Sequence, residues 1–137
     1  MKTNGAFLIP QLIEDMIRIL VIFLFLNGCT EYPISEQRGK TLFYQTHLGD
    51  NRVIGCISCH TVKAEAITVG PSLYGVAHRA ELMQTNTSAR QYLKQSIINP
   101  DAFIVSGYQP AVMYAHYGDE LSHQQVNDLV NYLLTLK

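Results

Sequence analysis

Tryptophan is absent, cysteine occurs three times, and charge is sparse: ten Lys and Arg oppose eleven Asp and Glu, for a net charge of −1. A near-neutral balance with the two signs interspersed excludes the basic stripe of a nucleic-acid-binding surface. Three cysteines are too few for a disulfide-stapled scaffold. Internal repeats and low-complexity stretches are missing, and no segment shows sustained strand alternation. At 137 residues there is room for one domain. What remains is an all-α reading. The informative features are a hydrophobic run near the N-terminus, two helix-start signals and one cysteine pair.

The hydrophobic run, Ile17 to Leu26, is apolar except for Arg18. It is shorter than the ~20 residues a spanning helix needs, and suits the core of an export signal. It ends in Leu26-Asn27-Gly28-Cys29, which resembles a bacterial lipobox with Cys29 as the lipidated residue. Asn27 is an unusual occupant of that motif. Glu14 and Asp15 suit a signal's positive start poorly, whereas Met16-Ile17-Arg18 suits it well, so Met16 is the expected true start. Residues 1–28 are therefore read as a cleaved signal region, 29–35 as a lipid-anchored tether and 36–137 as the functional domain. The location implied is the periplasmic side of a bacterial membrane. The alternatives are simple secretion and a retained N-terminal helix, which Glu14, Asp15 and Arg18 would interrupt.

Along the domain, Gly39, Leu42 and Phe43 predict a short amphipathic helix from Glu36 to about Thr46. Residues 47–55 read as a loop, and a short helical turn is expected around Leu73–Ala77. Ser88-Ala89-Arg90-Gln91 and Ser122-His123-Gln124-Gln125 are capping boxes. The first opens a helix to about Ile98, stopped by Asn99-Pro100. The second opens a last helix with Val126, Leu129, Val130, Leu133 and Leu134 on one face. Between them, residues 100–121 form a long loop rich in Tyr, Pro and Gly. So long a loop in a compact domain needs something to pack against.

Cys56-Ile57-Ser58-Cys59-His60 is the Cys-x-x-Cys-His signature of covalent haem c attachment. Two thiols at this spacing reach the two vinyl groups, and the adjacent imidazole of His60 falls under the iron as its proximal ligand. Structural zinc would need a second Cys or His pair, and His47, His78, His116 and His123 show no paired spacing. A thioredoxin-like redox pair would need a strand-to-helix setting. With Cys29 lipidated, no thiol is left for a disulfide.

From about Glu36 to Leu136 the chain resembles the class I monohaem cytochromes c. The matching residues are Gly39 and Phe43, Leu129 and Tyr132, Gly70-Pro71-Ser72-Leu73-Tyr74-Gly75, Tyr92-Leu93, Asn99-Pro100, Phe103-Ile104, Gly107 and Met113. The version most similar is the cytochrome c domain associated with bacterial respiratory oxidases. The resemblance implies three to five helices wrapped around one haem c, with the first and last crossed. It implies that the Pro71 carbonyl accepts a hydrogen bond from His60, that Arg79 pairs with a haem propionate, and that Met113 is the distal ligand. Met83 and His116 are the competitors. Tyr114 departs from the pattern, which often has Pro after the ligand Met. The activity implied is electron transfer rather than catalysis on a small-molecule substrate. A monomer tethered at Cys29 would carry electrons between a quinol-oxidising complex and a terminal oxidase. The alternatives are a fixed haem subunit of a larger oxidoreductase complex and a sensor or enzyme with a labile distal ligand.

Overall fold

In the computed structural model the chain divides into two units, Met1–Tyr32 and Pro33–Lys137. The structure describes residues 34–64, 66, 68–83 and 87–137, with 15, 16 and 18 of the first unit, which are helical. Cys29 and most of the expected signal lie outside the described residues.

Both capping boxes form. The Gln91 amide donates to Ser88 Oγ at 3.3 Å while the Ser88 amide donates to Gln91 Oε1 at 3.1 Å. Ser122 and Gln125 repeat the exchange at 3.2 and 2.8 Å. Each box satisfies two backbone donors that a helix start otherwise leaves orphaned. The helices they open run Ala89–Ile98 (α3) and His123–Leu133 (α5). Upstream lie Ile34–Phe43 (α1) and Val76–Met83 (α2), and Tyr117–Glu120 (α4) precedes α5.

Several boundaries differ from expectation; among them, the stretch 100–121 expected as a loop begins with a 3₁₀ turn, Pro100–Ala102, and contains α4 near its end. Helix α1 begins at Ile34 rather than Glu36, which places Glu36 inside the first turn, where an acid suits the helix dipole. Helix α2 runs to Met83, well past Ala77, because Val76, Ala77 and Ala80 together present a buried face. The 47–55 loop contains a small antiparallel pair, β1 (His47–Leu48) with β2 (Val53–Ile54), His47 facing Ile54. Two-residue strands are too short to register as alternation. The fold is nonetheless all-α in character, with five α-helices among the described residues.

Helices α1 and α5 cross and pack together. At the crossing a Cβ on Gly39 would lie 1.9 Å from the Asp128 carbonyl oxygen, so only glycine permits this approach. Phe43 and Tyr132 pack beside it with ring centroids 5.5 Å apart. Asp128 is itself buried, and Arg38 reaches it with both faces of a fork, Nε to Oδ2 at 2.6 Å and Nη2 to Oδ1 at 2.8 Å. Phe43, Leu48, Leu129 and Val130 are the most completely buried large side chains. The core thus joins α1, the hairpin and α5, with α2, α3 and α4 closing around it.

Candidate functional site

The pair of cysteines emerges directly from the hairpin. The Gly55 amide donates to the Thr46 carbonyl at 2.8 Å, continuing the β1–β2 ladder by one rung. The chain then winds into a 3₁₀ turn, Cys56–Ser58, with the Cys59 and His60 amides both bonded to the Cys56 carbonyl. Cys59 closes this turn as its C-cap. Both cysteines are free and half-buried. Burial pushes the Cys56 thiol up to about 11, so it rests as the protonated thiol.

His60 is held by the segment that follows. The Gly70 amide donates to the Cys59 carbonyl at 2.8 Å and the Leu73 amide to the Thr61 carbonyl at 2.7 Å, laying residues 70–73 alongside the motif. His60 Nδ1 lies 2.8 Å from the Pro71 carbonyl oxygen. An oxygen that can only accept makes Nδ1 the protonated nitrogen and leaves Nε2 with a free lone pair. The ring lies directly on Gly70, where an added Cβ would sit 2.4 Å from Cε1. Burial lowers the His60 pKa, partly opposed by the bond to Pro71, and so favours the neutral, metal-ligating imidazole.

The remaining candidates are distributed as follows. Met113 is half-buried and packs against the core cluster, as do Cys56 and Ile57. Met83, also half-buried, accepts a hydrogen bond at its sulfur from the Tyr92 hydroxyl at 3.4 Å. His116 is exposed, its Nδ1 3.2 Å from an Asp119 carboxylate oxygen. Arg79 donates to the Ser72 carbonyl at 2.6 Å and to the Tyr74 carbonyl, bracing the 70–75 segment behind His60. Its fork is therefore committed in part to the backbone, a role the sequence did not suggest. A cavity of about 620 Å³ beside α3, lined by Gln91, Tyr92, Gln95 and Phe103 among others, includes none of these groups.

Three further contacts were not foreseen: Arg38 with Asp128, the Tyr117 hydroxyl to the Ile54 carbonyl at 2.6 Å, and Asp101 Oδ1 accepting from the Ala111 amide at 2.9 Å. All three join residues at least ten positions apart, and no local pattern signals them. The alternatives to haem find little support in the geometry. Among the described residues no group of three His, Cys, Asp or Glu is placed to hold a metal ion. The cysteines also follow a hairpin into a single 3₁₀ turn rather than a strand into a helix.

The sequence model of the cytochrome c family matches residues 36–137, more than half of the chain. The chain belongs to the cytochrome c family. Comparison with curated proteins and with solved structures yields no match. The cofactor of this cytochrome c domain is a covalently bound haem c, and its function is haem-based electron transfer. The residues present fit that group. Two free thiols begin and close one tight turn, the adjacent imidazole has Nδ1 engaged and Nε2 available, and a glycine leaves room for the ring.

Proposed function

We propose that this cytochrome c is a His/Met electron carrier of the class I type, with His60 and Met113 as axial ligands. It is further read as tethered to the periplasmic side of a bacterial membrane through a lipid on Cys29. The observation that carries the axial assignment is the contrast among the three candidates for the distal position. Met113 and Met83 are both half-buried against the core that also holds the motif, but the Met83 sulfur accepts a hydrogen bond from Tyr92, and His116 faces solvent.

Bound haem c supplies a one-electron Fe(III)/Fe(II) couple. The chain's own part is to hold that group still. Cys56 and Cys59 fix it in position through two thioether bonds. The Pro71 carbonyl orients His60 and strengthens its imidazole as a donor. The soft thioether of Met113 favours the reduced state and raises the potential above that of two imidazoles. With His60 and Met113 both holding the iron, the chain would leave no open position for a substrate.

Partner encounters for such a carrier are small and transient. The near-neutral charge gives little long-range steering, so confinement in the membrane plane would supply the local concentration instead. Lipidation of Cys29 provides that confinement. The partners fitting this role are a quinol-oxidising complex as donor and a terminal oxidase as acceptor. Exposure of the reduced holoprotein to carbon monoxide tests the carrier reading. Slow and incomplete binding is expected, and rapid stoichiometric binding would show a labile distal site and a sensor or enzyme.

A further inference from the structure

Met113 lies in a stretch with little backbone structure of its own. Between Phe103 and His116 one backbone hydrogen bond within the stretch is present, from the Tyr108 amide to the Val105 carbonyl. The residue after the methionine is Tyr114, not a proline that would stiffen the chain there. A half-buried position in so loose a segment requires support from side chains, and the structure supplies it on both flanks.

Two residues before Met113, the Ala111 amide is captured by Asp101 Oδ1 at 2.9 Å. Ala111 sits at φ +59°, a conformation an L-residue adopts only when something holds it there. Asp101 belongs to the 3₁₀ turn Pro100–Ala102 at the end of α3, so this bond fastens the loop to a helix. One residue after Met113, the Tyr114 ring packs edge-on against Tyr117, centroids 5.1 Å apart, and its hydroxyl points toward Glu120 Oε1 at 3.5 Å. Both neighbours are themselves anchored to the hairpin. Tyr117 donates to the Ile54 carbonyl, and both Glu120 carboxylate oxygens accept from Asn51 Nδ2 at 3.0 Å. The downstream flank of Met113 is thereby tied to the element that leads into Cys56.

We infer that Asp101 and Tyr114 are positioning residues for Met113, a two-sided side-chain clamp that does the work of the missing proline. The inference rests on the reading of Met113 as distal ligand. Neither residue is assigned contact with the haem; each acts by limiting how far the 111–114 backbone can swing. Loss of either side raises the fraction of time that Met113 is displaced. A charge-assisted hydrogen bond lost at this site corresponds to a roughly tenfold change in that equilibrium.

The test is the rate of carbon monoxide binding to the reduced holoprotein, which follows the displaced fraction, together with the Met-to-Fe(III) charge-transfer band of the oxidised form. Asp101→Ala and Tyr114→Ala are each expected to bind carbon monoxide roughly tenfold faster than the parent. Asp101→Asn keeps an oxygen acceptor but loses its charge, and Tyr114→Phe keeps the ring but loses the hydroxyl, so each is expected to bind faster than the parent and more slowly than its alanine counterpart. Should an alanine variant fail to assemble, the pair at the other flank carries the comparison. Arg38→Ala, which weakens the remote α1–α5 contact, controls for general destabilisation and is expected to leave the rate unchanged. An alanine variant binding at the parental rate, or Arg38→Ala accelerating binding equally, overturns the clamp. Met113→Ala separates the two levels: if the band survives in it, the ligand reading fails; if the band is lost while both alanine variants stay parental, only the clamp fails.

Discussion

Among single residues, Gly70 and Arg79 illustrate how much of the proximal side is held by backbone. Gly70 has no substitute, because its missing Cβ is the space the His60 ring occupies. Gly70→Ala is expected to push the ring off the Pro71 carbonyl and to destabilise the fold by about 1–3 kcal/mol, the usual cost of overpacking. Denaturant unfolding measures the cost, and a raised reduction potential of any holoprotein reports the weakened imidazole. Arg79 braces the same segment from behind through the Ser72 and Tyr74 carbonyls. Arg79→Ala is expected to lower stability by roughly 1–2 kcal/mol in chemical denaturation. Arg79→Lys should recover only part of it, since an ammonium cannot present the same fork. The motif was legible because it depends on a short spacing and side-chain chemistry, and the Pro71 contact because Gly70-Pro71 resembles the class I cytochromes c. The backbone role of Arg79 was not: a guanidinium suits a propionate and a carbonyl alike, and only the turn of the chain at Tyr74 and Gly75 decides which oxygens come within reach.

At the level of elements, the sequence reads best where a structure is locally determined. The capping boxes at Ser88 and Ser122 start α3 and α5 at the expected residues because donor and acceptor sit three positions apart. The hairpin escaped notice because its ladder is made by backbone groups in two-residue strands. The α1–α5 crossing is intermediate. Gly39, Phe43, Leu129 and Tyr132 announced it, but the ion pair beneath it joins Arg38 to a buried acid 90 residues away, where no periodicity helps. Gly39→Ala would drive a Cβ into the Asp128 carbonyl and is expected to force the helices apart at a cost of about 3 kcal/mol. A drop in the denaturation midpoint, with far-UV helical signal retained below it, checks this. A midpoint equal to the parent's would mean that the helices cross less closely.

For the whole molecule, the proposed reading makes haem attachment and membrane attachment separable, since it assigns the first to Cys56 and Cys59 and the second to Cys29. Cys29→Ser is expected to move the protein from the membrane to the soluble periplasmic fraction with its haem content unchanged. Fractionation followed by haem staining reads both properties, and retention in the membrane would point instead to a kept N-terminal helix. The domain itself depends on long-range contacts: α1 packs on α5, Tyr117 ties its segment to the hairpin, and residues 70–73 lie along the motif. The central claim is that His60 and Met113 together complete the iron's coordination. The most direct measurement is the absorption spectrum of the oxidised holoprotein, read at the weak charge-transfer band that Met-to-Fe(III) ligation produces. The parent is predicted to show that band and Met113→Ala to lack it, with the haem still covalently bound; a band that survives the substitution would contradict the assignment.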